Sequence, residues 1–135
     1  MGRVDLTPYP GSGTNTAAAL LMAMVDQFNV INGDRPAVTN VAVVITDAVS
    51  NVDNANTIPT AEAAIAQGIY IMAVGIGPDV SENELSGISS SPQTLGSSYW
   101  MIPDFPYFST YAGILANAIL SFDYTLSGMR ITLYP

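Results

Sequence analysis

The chain has 135 residues, 49% hydrophobic and 10% charged, with a formal net charge of −8. That is enough chain for one domain with a real core, and it is too apolar to be a disordered segment. The acidity comes from missing bases, since lysine is absent and the arginines are Arg3, Arg35 and Arg130; such a surface repels phosphate, so neither nucleic acid nor an anionic membrane is expected as a partner.

Cysteine and histidine are also absent. This removes disulfides, thiolate nucleophiles, Ser-His and Cys-His catalysis, and the zinc sites built from those ligands. No apolar run reaches the roughly 18 residues of a membrane helix. Residues 1–8 lack the apolar segment of a signal peptide, so no membrane span and no leader are read here.

In chain order, Thr14-Asn15-Thr16 forms an N-cap cluster. It is followed by Leu20, Leu21, Met24, Val25 and Phe28 at helical spacing. Val41–Thr46 lacks polar alternation and reads as a strand buried on both faces, as does Ile69–Ile76. Between them a helix is predicted from Thr57–Pro59 through Ala61, Ala64 and Ile65, stopped by Gly68. Ser81-Glu82-Asn83-Glu84 is a capping box opening a short helix. Tyr99–Ile102 is a third strand. Pro106 then opens a long helix with Phe108, Tyr111, Leu115 and Ile119 on one face. This alternation predicts an α/β fold, a mostly parallel sheet with helices on both faces. From Tyr124 to Tyr134, Met129, Ile131 and Leu133 alternate with Arg130, Thr132 and Tyr134. The pattern is that of an edge strand, or of the opening of a further domain.

Four segments carry a family resemblance. Gly11-Ser12-Gly13-Thr14-Asn15-Thr16-Ala17-Ala18-Ala19-Leu20 resembles the GGTNTxxAL segment of von Willebrand factor type A domains. Asn40–Asp47 (NVAVVITD) is similar to their central strand and its Thr-Asp-Gly turn. Thr57-Ile58-Pro59 through Gly77 looks like the following helix and strand. Met101-Ile102-Pro103-Asp104-Phe105 resembles the last strand and the turn into the final helix. The likeness runs in the right order, and it implies a truncated doubly wound fold: residues 1–123 as a partial type A domain and 124–135 as a C-terminal extended segment.

The resemblance also implies a site. In the family, a metal-ion-dependent adhesion site at the upper edge of the sheet takes oxygen ligands from a DxSxS after the first strand, the first Thr of GGTxT and the Asp of TDG. Carried over, the matches here are Thr14 and Asp47, with Mg²⁺ or Ca²⁺ as the implied cation. No DxSxS occurs in the sequence, and Ala48 replaces the glycine after the aspartate. Mg²⁺ releases water reluctantly, so a site this incomplete is expected to be weak or absent. Each ligand also has a plain alternative. Thr14 suits a helix cap, and Asp47 could cap its own turn. Asp53 reads as loop solvation; Trp100, Tyr107, Phe108 and Tyr111 read as core.

Gly75-Ile76-Gly77 meets Val80 where a dinucleotide fingerprint needs a third glycine, and Gly11-x-Gly13 meets Thr16. With no lysine for a P-loop, catalysis is not expected. The resemblance implies a secreted or extracellular adhesion module that recognises a protein or matrix ligand. The alternative is a structural matrix protein that assembles with itself. Without the family's first strand, the edge of Val41–Thr46 is expected to be bare, and a symmetric homodimer pairing two such edges is the favoured cover. Residues 124–134 are the internal rival, opposed by the burial of Arg130 and Thr132 that a central position would require.

Overall fold

Asn40–Thr46 (β1) and Ile69–Ile76 (β2) are the two aliphatic runs, and they pair in parallel from Asn40↔Ile69 to Thr46↔Gly75 in a computed structural model of the chain. The structure describes residues 13–121 and 130–133. Tyr99–Ile102 (β3) adds to β2 and Arg130–Leu133 (β4) adds to β1, both in parallel, giving the order β3-β2-β1-β4.

β1 and β2 lack alternation because both of their faces are covered. Ala42, Val44, Ile69, Ile71 and Ala73 meet Leu20, Ala61, Ala64, Leu85 and Ile88 on one face. These come from α1 (Thr16–Met22), α2 (Thr57–Ala66) and α3 (Glu82–Ile88). On the other face Val41, Val43, Met72, Val74, Trp100 and Ile102 meet Leu115 and Ile119 of α4 (Phe105–Ser121). Burial of one such aliphatic side chain stabilises the fold by about 1.5–3 kcal/mol. Trp100, Phe108 and Tyr111 are core as expected, whereas Tyr107 is 54% exposed. Tyr107 therefore departs from the core reading, because it lies off the stripe that meets the sheet.

The caps follow local chemistry. Asn15 accepts the Ala18 N–H at 2.8 Å, and Ser81 accepts that of Glu84 at 3.3 Å. Past the end of α2, Gly68 has a φ of +88°, the left-handed turn that returns the chain to β2. α1 does not end cleanly but widens into a π-turn over Ala23–Gln27.

One expectation is corrected. The outer edge of β1 is not bare: β4 pairs with it from Ala42↔Arg130 to Ile45↔Leu133. A dimer formed by pairing two bare β1 edges therefore has no such edge to use. The objection to the tail assumed a central strand covered on both faces, but β4 ends the sheet order, where flanking helices are not required. The readings of residues 1–12 (including Gly11 and Ser12), of Met129 and Tyr134, and of a wet face on 124–134 fall outside the described residues and side chains.

Candidate functional site at the carboxyl end of the sheet

The strand order reverses at β1. The chain proceeds outward through β2 and β3, while β4 lies on the other side. In open parallel sheets such a reversal leaves a crevice beyond the carboxyl end of the strand. Asp47 is the first residue past that end of β1, and it is exposed.

The loop after Asp47 is bound to the start of α1. The Thr14 N–H donates to Asn51 Oδ1 at 2.8 Å, and the Thr14 carbonyl accepts from Asn51 N at 3.0 Å and Val52 N at 3.1 Å. Ser50 is 1% exposed and works as the hub. Its hydroxyl donates to the Thr14 carbonyl at 3.2 Å and accepts the Thr16 N–H at 3.4 Å. Gly13 makes this approach feasible. Its φ is +92°, and a Cβ there would lie 2.7 Å from Val52 Cγ2. The segments holding the two expected ligands are thus fastened together at one end of the sheet.

Both plain alternatives can be checked against this geometry. Thr14 does not cap α1; Asn15 does. The turn at Asp47 is closed by its neighbour: Thr46 Oγ1 donates to the Ala48 carbonyl at 2.8 Å and accepts the Ala48 N–H at 3.3 Å. Neither the hydroxyl of Thr14 nor the carboxylate of Asp47 has a role in these local turns. Asp53 does: it sits in the left-handed region at φ 56° and accepts from Asn56 Nδ2 at 2.7 Å, which holds the loop's shape.

Sequence reasoning missed Glu84. Its carboxylate accepts the Ser50 N–H at 3.0 and 3.2 Å, so a residue read as a helix cap reaches across to the β1 loop. Only the capping-box pattern flagged it. Glu82 likewise leaves its helix, accepting the Tyr99 hydroxyl at 2.9 Å, which raises the tyrosine pKa above its ordinary value.

As a cation site the donor set is thin. Thr14 and Asp47 offer one hydroxyl and one carboxylate, against the roughly six oxygens Mg²⁺ prefers. Among the described residues no group of three or more His, Cys, Asp or Glu could hold a metal ion. The residues present do not by themselves build a closed metal site. At the opposite, amino end of the strands lies an open cleft of about 570 Å³, lined in part by Glu62, Tyr70, Ser90 and Gln93. Ser90 and Gln93 are already committed there, Ser90 Oγ to the Ile71 N–H at 2.9 Å and Gln93 Nε2 to the Ser89 carbonyl at 3.3 Å. No helix among the described residues is long and apolar enough to cross a membrane.

Known proteins agree with this architecture. The family model of the von Willebrand factor type A domain matches residues 1–109. The collagen alpha-1(XII) chain of Notophthalmus viridescens is 34% identical over 95 residues, 70% of this chain and 10% of that one. Proximal thread matrix protein 1 from the mussel byssus superposes with a TM-score of 0.75 at 22% identity, over 85% of this chain and 28% of that one. A second structure of the byssal protein has the same TM-score and holds zinc in its metal-ion-dependent adhesion motif. The chain spans only a minor part of each relative's length. With its parallel sheet, its helices on both faces and its match over residues 1–109, this chain belongs to the von Willebrand factor type A domain family.

Proposed function

We propose that the chain is a non-enzymatic binding module of an extracellular protein, taking a protein or matrix ligand at the carboxyl end of the sheet through Thr14 and Asp47. The observation that supports this reading most is the exposed Asp47 at the strand-order reversal, on a loop bonded to a Thr14 that is not used as a cap. Domains of this family typically serve adhesion and protein binding, and the relatives are a collagen chain and a thread matrix protein. We take residues 1–123 as the binding domain, with Arg130–Leu133 of the 124–135 segment adding a strand to its sheet.

A divalent cation, Mg²⁺ or Ca²⁺, is a weak participant here. Thr14 and Asp47 would hold it, and it would supply positive charge for an acidic group of the ligand. Titration of the chain with magnesium chloride, followed by calorimetry and by the amide resonances of Thr14 and Asp47, tests this. Affinity is expected at about millimolar or weaker, localised to those two residues and removed in Asp47→Ala. A response elsewhere in the chain would overturn the assignment of the site.

The second reading, self-assembly in a matrix, is favoured by one observation: β4 presents the outer edge of the described sheet. Light scattering over a concentration series separates the two. A monomer at all micromolar concentrations removes assembly.

A further inference from the structure

We infer that Glu84 is a positioning residue for the binding site: it fixes the β1 loop through Ser50 and so sets where Asp47 stands relative to Thr14. The inference rests on the proposed role of Thr14 and Asp47.

Loop 47–52 is tied down at three points. Val49 N–H donates to the Asp79 carbonyl at 2.9 Å, beyond β2. Asn51 and Val52 bond the Thr14 carbonyl, at the start of α1. Ser50 N–H is held by both carboxylate oxygens of Glu84, from α3. The first two ties are neutral and largely backbone. The third is charge-assisted, the stronger class of hydrogen bond. It also engages the buried residue whose hydroxyl joins the loop to Thr14 and Thr16. Moving Ser50 therefore moves both segments of the site together.

Glu84 can act this way because α3 is firmly seated. Leu85 and Ile88 are each 1% exposed. A Cβ on Gly75 of β2 would fall 2.6 Å from Leu85 Cδ1, and one on Gly87 would fall 2.7 Å from Ile58 Cδ1. The first approach leaves no room for a side chain, since Val80 Cβ is also 3.0 Å from that position, and the two contacts seat α3 on the sheet and on α2. The Glu82–Tyr99 bond ties its first turn to β3. The Glu84 carboxylate thus passes the position of the rigid sheet and α3 on to an otherwise exposed loop. Nothing in the capping of α3 demands it, since Ser81 serves as the N-cap.

The test compares the whole wild-type chain with Glu84→Gln and Glu84→Ala by residue-resolved amide hydrogen exchange. Exchange at Ser50, Asn51 and Val52 is expected to rise by about tenfold or more in Glu84→Ala, the scale of a lost bond to a charged group. Glu84→Gln keeps one acceptor oxygen and should be intermediate; it also serves if the alanine variant does not fold. Core amides such as Val43 and Met72 should stay within about twofold, since their opening reports global stability. Unchanged loop exchange in both variants, or a rise matched in the core, would overturn the inference. A magnesium titration of the same samples separates this from the parent reading. Absence of any response at Asp47 in the wild type defeats the parent reading, while the exchange pattern still decides whether Glu84 holds the loop. Where Asp47 does respond, the response should shrink in Glu84→Gln, and an undiminished response overturns the positioning role.

Discussion

Thr14 and Asn51 are bonded twice. The Thr14 N–H donates to the Asn51 side-chain oxygen at 2.8 Å, and the Asn51 N–H returns to the Thr14 carbonyl at 3.0 Å. This reciprocal pair joins residues 37 positions apart, on an exposed surface. It makes the start of α1 and the loop after β1 a single unit, with Ser50 buried beneath it.

Asn51→Ala removes the side-chain acceptor and leaves the Thr14 N–H to water. A loss of about 0.5–1.5 kcal/mol is expected in urea unfolding, the net worth of one such bond. Asn51→Asp keeps the acceptor and should recover most of it. Equal losses in the two variants would mean that the pairing is incidental.

The cap and the candidate ligand are adjacent and can be separated. Asn15→Ala should destabilise the chain by about 1 kcal/mol, because it deprives the Ala18 N–H of its partner. Thr14→Val keeps the backbone bonds and should stay within about 0.5 kcal/mol of wild type while abolishing any magnesium response. A stability loss at Thr14 matching that at Asn15 would return Thr14 to the role of a cap.

β4 can be trapped on β1, and a chain with no native cysteine is a clean background for it. Val43 and Ile131 are partners in the parallel register. Val43→Cys combined with Ile131→Cys should crosslink within one chain under mild oxidation, running as a monomer on a non-reducing gel. A crosslinked dimer would place the strand of one copy on the sheet of another. Truncation after Ser121 should weaken or abolish the fold, because it strips backbone partners from a strand in which Val41 and Val43 are 0% and 1% exposed. Both outcomes are read by circular dichroism and thermal melting.

Alkaline pH should loosen α3 from β3. The Tyr99 hydroxyl has a raised pKa chiefly because it donates to Glu82, with burial and the Glu82 charge acting the same way. A group whose pKa is raised on folding stabilises fully below its unfolded value and loses that contribution as pH climbs through the folded one. The melting-temperature gap between wild type and Tyr99→Phe should therefore be constant up to about pH 9.5 and narrow above about pH 10. A gap that holds steady to pH 11 would show the bond to be energetically silent.

Much of the fold was legible in the sequence, for local reasons. β2 coincides with the aliphatic run Ile69–Ile76, since a strand covered on both faces needs no polar alternation, and β3 with the apolar run Tyr99–Ile102. Gly68 and Ser81 punctuate helices through backbone and side-chain chemistry that acts within a few residues. The π-turn after α1 was not legible, because the apolar spacing from Leu20 to Phe28 fits an uninterrupted helix equally well.

The sequence by itself determined the class of fold, the family and the two residues placed at the candidate site. These depend on composition, period and short motifs, all of which are local. Only the tertiary structure decided who covers β1 and what holds Asp47 in place. β4 reaches β1 from the far end of the chain, and Glu84 reaches Ser50 across 34 positions. Pairings of that span depend on how the whole sheet and its helices are arranged. The residues involved look, in sequence, like an edge strand weighed against a second chain as the cover of β1, and a carboxylate already explained as a cap.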